Sequence, residues 1–243
     1  VYLRNHVTLY NLSIVIPVYN DALLLVEVLD SLCIQDYSPI ELIIIDSSEN
    51  DDSSNITKEF AENKNLDITL KKIPRSYAGK SMNLGIDLSR GKFIGFLDTK
   101  TVPLENWVKS YLEILENQNI DIVFGSTLFE AETNFQKTLR AASYGNIHHE
   151  SVPGSIVNRE VFSRSKPFQE NIRAAYDIEW REMVKSEFRC HNPPTHSIVY
   201  SKLPDSLRQT LWRYILYSCL LYKSPSPRDA TLSRMACSGC KKK

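Results

Sequence analysis

Short apolar runs alternate with longer amphipathic stretches through the first half of the chain. Residues 12–18 (LSIVIPV), 41–45 (ELIII), 68–73, 93–97 (FIGFL) and 121–124 are brief and rich in branched or aromatic side chains. Continuous runs of this length predict strands buried on both faces rather than strands with one wet face. Between them the period changes to that of a helix. Leu25, Val26, Leu29 and Leu32 mark one face of a helix that starts after Asn20 or Asp21 and runs to about residue 35. The polar, acidic stretch 47–54 reads as a loop, with Asp52 or Ser53 placed to cap the next helix. Residues 78–90 read as a loop and helix, and 104–117 as a helix carrying Trp107, Val108, Tyr111, Leu112 and Leu115. Alternating strands and helices imply an α/β domain with a mostly parallel sheet, right-handed crossovers and flanking helices. The second half is less regular. It reads as a helix over 135–144, a turn at Val152-Pro153-Gly154-Ser155, a short strand at 156–157, a helix over 177–188, a strand over 197–200 and an aromatic-rich helix over 207–222.

The strand ends carry the candidate chemistry. In an open α/β sheet, ligands bind in the crevice beyond the carboxyl ends of the strands. The stretch 91–103 (GKFIGFLDTKTVP) runs from a turn signal through a strand to Asp98, and the run 41–45 stops at Asp46. A carboxylate in that position holds a metal-diphosphate or a ribose, or else it caps the turn that follows. A dehydrogenase would need a glycine-rich turn after the first strand so that a pyrophosphate can approach the helix N-terminus. Here that turn is Pro17-Val18-Tyr19-Asn20, and no Walker-type loop occurs. A nucleotide would be held by side chains and a metal instead.

Bulk composition narrows the classes. The 243 residues carry 29 Lys plus Arg against 29 Asp plus Glu, and this neutral balance argues against a nucleic-acid protein. Cys33, Cys190, Cys219, Cys237 and Cys240 do not form a disulfide framework, and the Cys237/Cys240 pair has no second ligand pair beside it. His148 and His149 are adjacent, lack metal-binding helical spacing and read as loop or helix-end residues. No apolar run is long enough for a confident membrane span.

Taken in order, these motifs resemble a family 2 glycosyltransferase with the GT-A (Rossmann-like) fold. The residues that carry the resemblance are Ile16-Pro17-Val18-Tyr19-Asn20, Ile44-Ile45-Asp46, Asn83-Leu84-Gly85-Ile86 and Phe96-Leu97-Asp98, with residues 168–180 (FQENIRAAYDIEW) as the acceptor-side segment. The resemblance implies a single domain over 1–217, with a nucleotide-sugar half at 12–125 and an acceptor half at 126–217. It implies a nucleotide-sugar donor, most often a UDP-sugar, inversion at the anomeric carbon, and a glycan or lipid-linked acceptor in cell-surface polysaccharide or glycolipid synthesis. Asp46 would face the base or ribose. Pro17, Tyr19, Asn20, Lys80, Asp98 and Lys100 would line the donor. Asp98 would ligate Mn²⁺ or Mg²⁺ on the diphosphate. Asp177 would be the general base that takes the acceptor proton. Gly154, Ser155, Arg173 and Trp180 would lie on the acceptor side.

The chain departs from the family pattern twice. Lys100 stands where a second Asp of the D-x-D motif is expected, and a charged lysine cannot ligate a hard metal. It offers its own charge to the diphosphate, or it points to solvent. Tyr176 replaces the Glu usually found before the base. These departures keep a second reading open, a non-catalytic nucleotide-sugar-binding homologue. For several residues a bland role stands beside the functional one: Lys80 as an exposed lysine, Arg173 as a surface ion-pair partner, Asp177 as a helix-start carboxylate, Trp180 as core. The expected location is cytoplasmic, at the inner face of the membrane if the acceptor is lipid-linked. The helix from 207 carries Trp212, Tyr214 and Tyr217 and is expected to pack on the domain, with a membrane surface as the alternative. From about residue 218 the character changes. CLLYKSPSPRDATLSRM resembles a translated sequencing-adapter read-through, which implies a non-native tail over 218–243, the alternative being a disordered basic tail at an anionic membrane. The first residue is Val1, so the start of the chain is expected to be missing.

Overall fold

The computed structural model describes residues 10–64 and 67–221. The Cys237/Cys240 pair and the tail from residue 222 lie outside the described residues.

The first half follows the alternation of its sequence. It comprises β1 (Leu12–Val18), α1 (Ala22–Cys33), β2 (Ile40–Asp46), α2 (Asp52–Asn63), β3 (Asp67–Lys72), α3 (Ala78–Leu88), β4 (Phe93–Phe96), β5 (Thr101–Pro103) and α4 (Trp107–Asn117). The second half adds β6 (Ile122–Phe129), α5 (Asn134–Ser143), β7 (His148–Asn158), α6 (Glu160–Arg164), α7 (Tyr176–Glu187), β8 (Cys190–His191), β9 (Ile198–Tyr200) and α8 (Leu207–Leu221). The strands form one sheet in the order β3-β2-β1-β4-β7-β6-β9-β5, with β8 beside β6. Five of the eight pairings are parallel; β4/β7, β6/β7 and β5/β9 are antiparallel.

Alternation along β1 explains why its run is largely apolar. Leu12, Ile14, Ile16 and Val18 face a core closed by α1 and α4, through Leu25, Leu29, Trp107 and Leu112. Val15 faces the opposite core, where Ile43, Ile94 and Phe96 meet Met82 of α3 and Trp180 and Val184 of α7. Each fully buried Leu or Ile stabilises by about 1.5–3 kcal/mol, so helices on both faces are what make the two-sided sheet viable.

The expected turn at Val152-Pro153-Gly154-Ser155 is instead an irregularity inside the long strand β7. The β6/β7 register shifts between Val123 and Gly125, opposite these residues. Pro153 is tolerated there because a bulge needs no ladder bond from it. Gly154 adopts φ 85°, which a side chain disfavours. The bulge is sealed by hydrogen bonds from Ser151 Oγ to the Pro153 carbonyl, from Ser155 Oγ to the Ser151 carbonyl and from Trp107 Nε1 to the Gly154 carbonyl. Gly125 fits beneath it, since a Cβ there would lie 2.0 Å from the Pro153 carbonyl oxygen. His148 and His149 open this strand rather than sitting in a loop or at a helix end.

Two other local expectations change. Asp21 is the N-cap residue of α1 but makes no side-chain cap bond, nor does Asp51 ahead of α2. α8 packs on the domain as expected, through buried Thr210, Arg213 over the Tyr200 ring and Tyr214 bonded to Ser143, while Leu211, Trp212 and Ile215 on its outer face are exposed, Trp212 by 64%.

Candidate active site

The carboxyl ends of β1, β2 and β4 place Tyr19, Asn20, Asp46 and Asp98 along one edge of the sheet. Asn20 at φ 54° turns the chain sharply between β1 and α1. Its N–H donates to Ser48 Oγ, and its Oδ1 accepts from the Glu49 N–H. Tyr19 donates to Glu49 Oε1 at 3.0 Å, and the Arg75 guanidinium lies 5.3 Å from the centre of its ring. Arg173 is exposed, yet close enough for its charge to act on the Tyr19 phenol. Pro17 is the penultimate residue of β1. Lys80 is exposed on α3.

Asp46 is turned inward. It is 0% exposed and accepts from the Ser48 N–H at 2.9 Å, Ser54 Oγ at 2.7 Å and Lys72 Nζ at 3.3 Å. Burial pushes its carboxyl up, but these hydrogen bonds outweigh burial and hold it below the ordinary Asp range. In this conformation it braces the loop after β2 from behind, with its oxygens turned to protein donors.

Asp98 closes a turn and also faces a cavity. Its Oδ1 accepts from the Lys100 N–H at 2.8 Å, which closes the turn after β4, and the residue also lines a cavity of about 310 Å³. Burial raises its pKa above the ordinary Asp value, against hydrogen bonds from Lys100 and Thr101 and the Lys100 charge, with Asp21 adding to the rise. Lys100 Nζ lies 3.5 Å from Asp21 Oδ2, which also accepts from Thr99 Oγ1 at 2.9 Å. The lysine therefore turns toward protein and ties the Asp98 turn to the residue beside Asn20.

Asp177 meets Asp98 at the same cavity. It sits in the first turn of α7, after Ala175 in the left-handed region at φ 63°. The helix is anchored by Arg181, whose Nη1 donates to the Glu150 carbonyl at 2.8 Å and pairs with Glu150 Oε1 at 3.3 Å. Lys185 Nζ adds a 2.6 Å contact to the same oxygen. Two residues 79 positions apart are thus joined by α7 docking on β7, which no local pattern announces. Other expected acceptor-side residues stand behind the wall. Ser155 is fully buried and accepts from the Gly125 N–H, and Gly154 is buried in the bulge. Trp180 is 2% exposed and packs against Phe162 and Phe168, so it belongs to the core and does not line the cavity.

Residues that the sequence did not single out for chemistry complete the cavity. Phe129, Tyr144, His149, Glu150, Tyr200 and Arg213 all line it. The signal available was weak, a scatter of aromatics over the irregular second half. Among the described residues no set of three His, Cys, Asp or Glu side chains is placed to hold a metal alone. Asp98 nevertheless fits a diphosphate-bound cation, because Mg²⁺-type ions commonly take one or two carboxylates and complete their shell with phosphate oxygens and water.

Comparison with known proteins places this arrangement. Glycosyltransferase GlyG of Streptococcus pneumoniae is 28% identical over 126 residues, covering 51% of this chain and 42% of that protein. The chain thus spans less than half the length of that relative. S. aureus TarS 1–349 in complex with UDP-GlcNAc superposes with a TM-score of 0.66 at 16% identity, over 82% of this chain and 61% of that one. The mannosyltransferase PcManGT of Pyrobaculum calidifontis, in complex with GDP-Man and Mn²⁺, superposes with a TM-score of 0.65 at 20% identity, over 88% and 63%. These likenesses show a shared fold, the GT-A arrangement that the motifs implied. The model of glycosyl transferase family 2 matches residues 13–181, across both strand-end aspartates and Asp177, and the chain belongs to that family.

Proposed function

We propose that this chain is an inverting glycosyltransferase that moves a sugar from a nucleotide-sugar to a hydroxyl acceptor. The observation that carries the reading is the meeting of Asp98 and Asp177 at one cavity. Asp177 takes the proton as the acceptor O–H bond breaks. The acceptor oxygen forms a bond to the anomeric carbon while the bond from that carbon to the diphosphate oxygen breaks. The nucleoside diphosphate leaves from the opposite face, so one base and one displacement invert the centre. The donor lies along Tyr19 and Asn20 with its diphosphate toward Asp98, and Lys100 adds charge from the same turn. A divalent cation on Asp98, when bound, neutralises the leaving group. A UDP-sugar is the donor we favour, supported by the family motifs and by the UDP-GlcNAc bound to TarS.

The acceptor is a glycan or lipid-linked sugar in cell-surface polysaccharide or glycolipid assembly. Among the described residues no helix is long and apolar enough to cross a membrane. The exposed Leu211, Trp212 and Ile215 of α8 support a peripheral contact with a membrane that carries the acceptor. The pairing of Lys100 with Asp21, where a second metal-binding carboxylate is expected, favours one alternative, a homologue that binds nucleotide-sugar without turnover.

Asp177→Asn separates the two readings. Calorimetric titration of UDP and GDP, with Mn²⁺ and with chelator, should show equal nucleotide binding by wild type and variant. Donor turnover should fall by about 10²–10⁴ in the variant. Turnover that survives Asp177→Asn would remove the base assignment. Failure of the folded wild type to bind either nucleotide would sink the transferase reading.

A further inference from the structure

Asp177 stands in the first turn of a helix whose start is held poorly by its own sequence. The N-cap residue of α7 is Ala175, in the left-handed region, and no side chain there bonds the free N–H groups of the first turn. The tie from Gln169 to Glu179 is exposed to solvent. On the inner side, Trp180 and Val184 join the core, but apolar burial has no direction and leaves the rotation of the helix loosely set. A polar stripe supplies the direction. Asp177, Arg181 and Lys185 recur every four residues and so lie along one side of α7. Glu150 of β7 meets this stripe twice, at Arg181 through its carbonyl and Oε1 and at Lys185 through Oε1. Its Oε2 accepts from Asn192 Nδ2 at 2.7 Å, so both carboxylate oxygens are engaged. Glu150 is itself pinned in the ladder opposite Ser126 of β6, and Asn192 follows β8, which also pairs with β6. The Glu150 and Arg181 side chains are each only 18% exposed. A charge pair so far out of water commonly adds no more stability than apolar side chains of the same size would; what it adds here is a fixed geometry.

We propose that Glu150 is a positioning residue, which acts through Arg181 and Lys185 to hold the first turn of α7 and with it the Asp177 carboxylate at the cavity. The assignment rests on the transferase reading above, in which Asp177 is the base. Glu150 also lines the cavity, so direct contact with the acceptor is the competing role. Its hydrogen bonds speak against that role, because an acceptor hydroxyl would have to compete with Arg181, Lys185 or Asn192 for oxygens they already occupy.

A double-mutant cycle on the full chain tests this, with UDP-glucose and UDP-N-acetylglucosamine as donors and UDP release as the readout. Glu150→Gln keeps the shape and removes the charge. It should lower kcat by about 10- to 100-fold with UDP affinity unchanged. In an Asp177→Asn background the same change should cost less than about twofold, because nothing is left to position. Losses of equal size in both backgrounds would overturn the proposal, since Glu150 would then touch the acceptor itself or serve only the fold. Arg181→Lys keeps the charge but lacks the planar fork that meets both the carbonyl and the carboxylate, and it should reproduce the loss in kcat. Wild-type turnover by Arg181→Lys would also overturn the proposal. Amide hydrogen exchange reads the same hold without a donor. Glu150→Gln should speed exchange at Trp180, Arg181 and Glu182 by at least about tenfold and leave β1 and β2 as protected as in wild type. Unchanged exchange in α7 would refute the clamp and leave the transferase reading standing. A folded wild type that neither binds UDP nor turns over either donor would remove the transferase reading and this role with it, even where exchange in α7 responds.

Discussion

Replacing Asp46 separates a structural carboxylate from a ligand-binding one. Its side chain is fully buried and accepts from the Ser48 N–H, the Ser54 hydroxyl and the Lys72 ammonium. Asp46→Ala removes both acceptor oxygens and leaves all three donors unpaired there. Ser48 and Ser54 are themselves buried, and each unsatisfied buried donor costs about 1–3 kcal/mol. Lys72 is 36% exposed and also meets Asp51, so its loss is largely screened and adds little. The expected destabilisation is about 2–5 kcal/mol, a large part of the stability of a domain this size. Asp46→Asn keeps the shape and one acceptor oxygen and should cost roughly half as much. The pH dependence has a definite sign. The folded-state pKa is depressed by hydrogen bonding, so the carboxylate's contribution is present above its unfolded pKa of about 3.9 and is lost as pH falls through the lower folded value. Urea denaturation at pH 7 should therefore show the full difference between wild type and Asp46→Asn, and below about pH 4 the difference should shrink. An Asp46→Ala loss under about 1 kcal/mol, together with abolished UDP binding, would refute this reasoning and put the carboxylate on the nucleotide.

Three further outcomes are expected. Gly154→Ala forces a side chain into φ 85° and brings its Cβ within 2.3 Å of Ile198 Cγ1, which should cost about 2–4 kcal/mol and lower Tm by about 5–15 °C in a thermal scan; a shift under about 2 °C would mean the bulge adapts freely. Asp98 must be ionised to serve a cation, and its pKa is raised by burial, so Mn²⁺-dependent UDP affinity should be lost on acidification at a pH above the ordinary Asp value; a midpoint at or below about 3.9 contradicts this. Lys100→Ala should weaken UDP in chelator more than it weakens uridine, since only UDP has a diphosphate for the lysine to meet; equal losses would exclude that contact.

Much of the fold was legible because its signals are local. The two-faced burial of β1, β2 and β4 leaves apolar runs, helices leave a 3.6-residue period, and strand ends leave Asp46 and Asp98 where polarity returns. Family motifs added Asp177, and the structure brings it to the cavity of Asp98. The Pro153-Gly154 pair misled because the same residues that make a turn also make a bulge, and only the partner strand decides which. Asp46 illustrates the same limit at one side chain. Its place at a strand end is written in the chain, but its direction depends on Ser54 and Lys72, which arrive from α2 and β3.

The sequence by itself determined the alternating α/β architecture, its two apolar cores and the strand-end carboxylates, since each follows from neighbours within a few residues. Tertiary structure alone decided the cavity's second wall. Phe129, Tyr144, His149, Tyr200 and Arg213 come from β6, the end of α5, β7, β9 and α8. Their meeting depends on the antiparallel return of β7 between β4 and β6, a long-range pairing that leaves no periodic trace in any one segment.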